Sequence, residues 1–403
     1  MHVTIVGGGF GGIKAALEIA KDRKNTVTLI SDKPDFQYYP TLYSSATGHS
    51  HLESWAPLGE IFADHPNIYV YIDTIEKIDA KAKTLHAASG TTYSYETVIF
   101  ALGVVTTYFG IPGLETYTYG IKSEAEIKQL KQRLFIDIAE KGELDRNYVV
   151  IGAGPTGVEL SAAIGTYIKR LCKYYRVKHR RVNVRLIEAS PRVLPRNSEQ
   201  VSRVVKRRLE RLGVKVETGR RVEAATPESL VVDGQSLDSH TVIWTSGVSN
   251  SPFFAAHPKV FTLAKNGRVV VDEYLSAGKD IYVIGDNAAT KYTGLAQTAV
   301  HNGTVVARNL RLQASGKRPK AYKPRLPASA VPVGRGWAVI EWRWIRVYGW
   351  LGSLIRRAAD IIGYHDTLPI GTSFSAWRAA YVYEHDYFTP SVKVKSLARK
   401  NKK

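Results

Sequence analysis

Two short glycine strings carry the clearest chemistry in this chain, Gly7-Gly8-Gly9-Phe10-Gly11-Gly12 and Gly152-Ala153-Gly154-Pro155-Thr156-Gly157. In each, glycine stands at the first, third and sixth places. The first glycine (Gly7, Gly152) permits a tight turn, and the second (Gly9, Gly154) lets backbone approach a pyrophosphate. The third (Gly12, Gly157) lets a helix pack closely on a strand. A helix beginning at such a string turns free N–H groups and its positive end toward phosphate. The expected chemistry is the binding of two dinucleotides; the bland alternative is a pair of bare strand-to-helix turns.

Context favours the binding reading, because each string follows a strand-like run and opens a helix-like one. His2–Val6 precedes the first string and Ile13–Ala20 follows it, while Tyr148–Ile151 and a helix from Val158 frame the second at an offset of 145 residues. Thr97-Val98-Ile99-Phe100-Ala101-Leu102-Gly103-Val104 returns as Thr241-Val242-Ile243-Trp244-Thr245-Ser246-Gly247-Val248 at an offset of 144. Two echoes at nearly one offset predict an α/β protein with two Rossmann-like modules and parallel sheets. In the second module the strand Val184–Ile187 ends in Glu188, placed to bond a ribose 2′-OH and to repel a 2′-phosphate. Glu188 lies 31 residues past Gly157, beyond the usual spacing of about 20, and the basic stretch Lys169–Arg181 supplies the extra length. The alternative is a solvated strand-end carboxylate. In the first module the strand Val27–Ile30 ends at Ser31, with the carboxylate one place later at Asp32. Either Asp32 reaches the ribose, or Ser31 and backbone groups replace the acid.

The 403 residues carry 56 Lys+Arg against 36 Asp+Glu, a formal charge of +20, which favours an anionic partner, nucleic acid or membrane. The surplus is uneven: residues 317–403 hold 17 Lys/Arg and 5 Asp/Glu, a net +12, with five of the seven tryptophans (Trp337, Trp342, Trp344, Trp350 and Trp377). Basic residues interleaved with tryptophan suit a headgroup-level membrane surface. No nucleic-acid motif is present to support the other partner. The run Lys393–Lys403 also reads as a plain solvated tail. Trp350, Leu351, Leu354, Ile355, Ala358, Ile361 and Ile362 repeat at helical spacing, with Arg356, Arg357 and Asp360 off the stripe. That helix is either a monotopic anchor or a helix packed on the body with its stripe in a core. No run of about 20 apolar residues suggests a crossing helix, and a first strand beginning at His2 leaves no room for a signal peptide, so attachment is expected to be peripheral. Cys172 is the sole cysteine, which excludes an internal disulfide or a C-x-x-C pair and leaves no thiolate metal site. Punctuation at Gly110-Ile111-Pro112-Gly113, near Ser249–Pro252 and after Ser315 divides the chain into 1–110, 111–249, 250–320 and 321–403.

These residues resemble the two-dinucleotide flavoproteins and, within them, the type II NADH:quinone oxidoreductases. The specific pieces are the first glycine string, Tyr39-Pro40-Thr41-Leu42-Tyr43 with Ala46-Thr47-Gly48, and Tyr108-Phe109-Gly110-Ile111-Pro112-Gly113. Gly154-Pro155-Thr156-Gly157-Val158-Glu159-Leu160, Val242–Val248, Ile284-Gly285-Asp286 and Ala296-Gln297-Thr298-Ala299 complete them. The resemblance implies FAD in segments 1–110 and 250–320, NADH in 111–249, and a membrane-surface segment at 321–403. It places Asp286, with Gly285, at the ribityl–phosphate region and Ala101–Gly103 near the flavin. It places Glu159 by the nicotinamide and Ala296 to His301 beneath the isoalloxazine, with Gln297 and His301 facing quinone. Thr41 and Gly247 count among the cofactor positions. The implied reaction passes a hydride from NADH to FAD and electrons to a membrane quinone, without proton pumping, at the cytoplasmic face of the cell membrane. A soluble FAD-dependent NAD(P)H reductase of an electron-carrier protein is the alternative, and a basic nucleic-acid-binding or scaffold flavoprotein a third. The oligomeric state stays open, a homodimer included. Ser31 replaces the family's acid, and His301 replaces the glutamine that ends its A-Q-x-A-x-Q pattern. Sulfide:quinone reductases need a cysteine pair by the flavin, which a lone Cys172 cannot give.

A carboxylate at 188 predicts a strong preference for NADH over NADPH, narrowed in Glu188→Gln. Equal kcat/KM for the two nucleotides in the unaltered protein would contradict this.

Overall fold

Runs of valine, isoleucine and leucine without polar alternation favour parallel strands covered on both faces, and here they form two sheets on one plan. The computed structural model describes residues 1–178 and 181–384. His179 and Arg180 of the basic stretch, the run Lys393–Lys403 and the rest of 385–403 lie outside the described residues.

The first sheet sets Ile68–Ile72, Thr26–Ser31, His2–Val6, Thr97–Phe100 and Ile281–Val283 side by side in parallel, with Ser276–Gly278 antiparallel at its edge. The second has the same order, Val214–Thr218, Val184–Glu188, Tyr148–Ile151 and Thr241–Trp244, all parallel. Registers match as well: Val6 pairs with Ile30 and Phe100, and Ile151 with Ile187 and Trp244. Ser31 and Glu188 therefore occupy equivalent strand ends. A three-stranded antiparallel sheet over Ile75–Ser94 precedes Thr97–Phe100 in one unit, and one over Val222–Asp238 precedes Thr241–Trp244 in the other. The helix Phe10–Ala20 follows the first glycine string and Pro155–Tyr175 the second. Cys172 lies in the latter, fully buried in the core beneath the second sheet.

The chain crosses between units at Val104–Thr106 and returns at Val248–Asn250, and these two stretches pair antiparallel. Asn287, fully buried, fastens the crossing by donating to the Gly103 carbonyl at 2.5 Å and to Asn250 Oδ1 at 2.7 Å. After the return, Ile281–Val283 joins the first sheet, and the helix Ala296–Ala314 packs along Phe10–Ala20.

The C-terminal segment is sewn to both units. Its antiparallel sheet, Ser329–Pro332, Ala338–Trp342 and Ile345–Gly349, buries Val331 and Val339 in the core that holds Pro155–Tyr175. The helix Trp350–His365 then crosses to the first unit, where Tyr364 stacks on Tyr38 with ring centroids 4.1 Å apart. After the helix Ile370–Ala379, the Ser50 N–H donates to the Val382 carbonyl at 2.9 Å and the Glu384 N–H to the Gly48 carbonyl at 2.9 Å. No described helix is long and apolar enough to cross a membrane.

Candidate active site

The two glycine strings fold alike. Gly7 has φ +116° and Gly152 φ +100°, a region that L side chains rarely adopt. A Cβ on Gly7 would strike the Ala101 carbonyl, and one on Gly152 the Ser246 hydroxyl. A Cβ on Gly12 would strike the Gly7 carbonyl, and one on Gly157 the Gly152 carbonyl. At Gly9 and Gly154 nothing lies within 4 Å of that position. Both are helix N-caps without a side-chain cap, so the helix ends open onto unfilled space. Closed first and third places with an open second place fit a pyrophosphate approaching each helix end. Gly11 fits closely under Ile284 and Ala299. The Phe10 ring packs on Phe36 and Tyr38, so that residue offers its backbone and its side chain belongs to the core.

The strand-end residues differ. The Glu188 carboxylate accepts from the Ala153 N–H at 2.6 Å and the Ser190 N–H at 2.7 Å, which fixes it against the second string. Ser31 is buried, and its hydroxyl donates to the Lys33 carbonyl at 2.8 Å, while Asp32 is exposed. Tyr39 lies in the field of both Asp32 and Asp286: burial raises its phenol pKa and those two carboxylates raise it further. Burial raises the Asp286 pKa, opposed by the Gly294 N–H at 2.9 Å and by Arg268 and Arg196. Gly285 has φ +66° and its N–H donates to Asn302 Oδ1 at 3.0 Å. The Gly103 N–H donates to Asn287 Oδ1 at 3.0 Å, and the Gly247 carbonyl accepts from Lys122 at 3.0 Å. Thr41 spends its hydroxyl internally, on the Glu53 carbonyl at 2.9 Å and Ser54 Oγ at 2.8 Å. The asparagines at 287 and 302 carried no sequence signal, because one asparagine in a loop or helix looks like any other.

Where the two units meet, the sequence reading found one group of several. Glu159 is buried, and burial lifts its carboxyl pKa to about 8, with Arg356 pulling down and Asp360 pushing up. Arg356 and Asp360 come from the helix Trp350–His365 and lie 2.6 Å apart, with Arg356 also donating to the Pro40 carbonyl at 3.3 Å. Burial works against the Arg356 charge, but Asp360 and Glu159 outweigh it and raise its pKa. Tyr43 and Glu53 sit in the same field. On this helix the charges of Arg356 and Asp360 face inward and the apolar stripe outward: Trp350 is 69%, Leu354 59% and Ile362 66% exposed. Of the two readings of the stripe, the packed-core one is therefore incorrect for these residues. A stripe can be seen in sequence, but its direction is set by what the opposite face meets.

Ala296 begins its helix after Leu295, which offers no side-chain cap. Gln297 and His301 share a face of this helix and bond to the strap that follows, with Gln297 still exposed. Gln297 exchanges hydrogen bonds with the Ala328 backbone at 3.2 and 3.3 Å. His301 Nε2 lies 3.0 Å from the Lys323 carbonyl, and its ring lies against Tyr322. Burial lowers the His301 pKa, the Lys323 carbonyl opposes this, and Arg325 and Arg308 add to it.

Residues 1–303 match the family model of the pyridine nucleotide-disulphide oxidoreductases. The chain is 27% identical over 412 aligned residues to a type II NADH:quinone oxidoreductase of Mycobacterium tuberculosis, covering 94% of this chain and 88% of that one. Its fold is similar to that of NDH2 from Plasmodium falciparum solved with NADH, at TM-score 0.83 and 18% identity over 96% of this chain and 99% of that one. It is also similar to the sulfide:quinone oxidoreductase of Aquifex aeolicus, at TM-score 0.74 and 20% identity over 99% and 95%. Two open-mouthed glycine strings on equivalent strands, and a family match across both, place this chain in the pyridine nucleotide-disulphide oxidoreductase family.

Proposed function

We propose that the chain is a flavin-dependent NADH:quinone oxidoreductase working at an anionic membrane surface, on the cytoplasmic face, without pumping protons. The observation that carries the membrane part is the inverted helix Trp350–His365, with its ion pair inward and its apolar stripe in solvent. The stripe continues in Ile370 and Phe374, and Trp342 and Trp344 are exposed beside Arg343. Apolar side chains rimmed by arginine and tryptophan suit the level of lipid headgroups. The activity agrees with the names of curated relatives that align over most of the chain.

FAD suits the first cradle and NADH the second; bound, FAD supplies two-electron transfer between hydride donor and quinone. The protein supplies position and a dry setting. Glu188 selects the nucleotide by its ribose, and Asp286 together with Ser31 or Asp32 holds the flavin nucleotide. Burial favours the neutral form of the Glu159 carboxyl on the nicotinamide side of the junction. Gln297 offers an amide to a quinone carbonyl, and His301 delivers a proton once it exchanges the Lys323 carbonyl for the quinone.

His301→Ala tests the acceptor half. In anaerobic stopped-flow, flavin reduction by NADH should stay near normal while reoxidation by quinone slows, most on the acid side where imidazolium is populated. Equal loss of both steps would make His301 a structural residue.

Flotation with anionic vesicles tests the surface. Deletion from Ala321 would strip Val331 and Val339 from the core, so Trp344→Asn with Ile370→Asn is the better probe. Binding should fall and FAD should stay bound. Binding that ignores these changes, salt and lipid charge would favour the soluble reductase of a carrier protein.

A further inference from the structure

Reduction of a quinone by NADH leaves one proton to be supplied. NADH gives a hydride, and the quinone needs two electrons and two protons to become a quinol, so one proton per turnover comes from water. Beneath the helix Trp350–His365 the buried Glu159 lies in the field of Arg356 and Asp360.

Titratable side chains are spread between there and the surface. At its outer end Glu384 accepts from Ser50 Oγ at 2.5 Å and lies 3.1 Å from His51 Nδ1, both acid and imidazole being partly exposed. This gate exists because the chain after Ala379 folds back onto residues 48–51. Inward of it Lys131, on the helix Glu124–Phe135, is buried in the field of both Glu384 and Glu53. Glu53 is 2% exposed, and its Oε1 makes no hydrogen bond. Around it stand Ser44 and Tyr43 from the short helix Leu42–Ala46, and Asp360, Arg356 and Tyr364 from Trp350–His365. Tyr364 donates to the Glu53 backbone carbonyl at 2.6 Å. The hydroxyls of Thr41, Ser54 and Ser45 are joined by two links of 2.8 Å in which either oxygen can donate.

A buried carboxyl with one oxygen unbonded is a poor structural anchor, since an unpaired polar atom costs roughly 1–3 kcal/mol. It suits a group that exchanges a proton. Burial raises the Glu53 pKa to about 8, Ser44 and the cations Lys131 and Arg356 opposing and Asp360 assisting. Burial also lowers Lys131 to about 8, with Glu384 and Glu53 opposing. Both groups can change charge near neutral pH.

We infer that Glu53 stores the proton consumed in quinone reduction, refilled from water through the Glu384–His51 gate and Lys131 and emptied toward Asp360 and the acceptor, while Arg356 keeps its own proton throughout. In each cycle the neutral carboxyl gives one proton inward, toward the quinone oxygen, and takes one from bulk water. It forms no other bond, and the electrons come from NADH alone. Glu53 is assigned a role through the groups around it, as a positioning residue for the proton. The inference rests on the quinone reading and can fail separately from it.

The test begins without substrate. Infrared titration of the flavin-loaded protein should show protonated buried carboxyls that ionise near pH 8, and Glu53→Gln should remove one of them while Glu159→Gln removes another. In Glu53→Gln, flavin reduction by NADH should stay within about twofold, and reoxidation by a water-soluble quinone should slow roughly tenfold or more below pH 8. The native fall in reoxidation above pH 8 should flatten in that variant, and Glu53→Asp should restore part of the rate. Glu384→Ala leaves the buried carboxyl in place; it should keep the infrared band and slow reoxidation, which covers the case of a Glu53→Gln that does not fold. A Glu53→Gln spectrum that loses no protonated carboxyl overturns the inference, as does native reoxidation across this pH range in either variant. If the native protein reduces no quinone, the reading of the activity fails, and the infrared band alone then reports whether Glu53 holds a proton.

Discussion

A largely enclosed arginine is a demanding guest. It cannot shed its proton as a lysine can, so carboxylates have to come to it. Arg356 meets Asp360 one turn along its own helix at 2.6 Å, with the Glu159 carboxyl of the second unit nearby. Removing one partner of such a pair costs about 3–5 kcal/mol, because a buried charge is left uncompensated. That penalty sets the rotation of the helix Trp350–His365. With Arg356 and Asp360 turned to the junction, Trp350, Leu354 and Ile362 have nowhere to go but outward. The polar floor of the junction and the apolar outer surface are two faces of one constraint.

The rest of the molecule delivers groups to that junction. Two units of one design meet through paired crossings at Val104–Thr106 and Val248–Asn250, held by Asn287. Each unit contributes one open helix end, and Glu159 follows closely on the second glycine string. The C-terminal segment is needed because neither unit alone covers the shared edge. Its sheet joins the core of the second unit, and Tyr364 joins that of the first.

Much of this was legible in the sequence where a backbone need dictates the residue. Gly7, Gly12, Gly152 and Gly157 could be read because a Cβ at each would collide with a fixed neighbour. Glu188 could be read because the end of its strand sets the side chain against the second glycine string. The repeat at 144–145 residues foretold matched registers down to Val6 and Ile151. What stayed hidden depends on tertiary contact. Asn287 and Asn302 act through partners far away in the chain, and Glu53 and Lys131 look like surface charges until burial is known. Arg356 and Asp360 stood off the apolar stripe, and a sequence assigns such residues to solvent by default. Gln297 and His301 fell on one helix face as expected, but the strap that bonds to them has no pattern of its own.

The central claim is that one helix seals the junction with its inner face and meets lipid with its outer face. The direct measurement is turnover of Trp350→Asn/Leu354→Asn/Ile362→Asn with two acceptors, a quinone embedded in anionic vesicles and a water-soluble one. The account predicts that NADH oxidation by the embedded quinone falls by roughly an order of magnitude or more, given the apolar area withdrawn from lipid, while the water-soluble quinone is reduced at the native rate. Equal loss with both acceptors, or no loss with either, would contradict it.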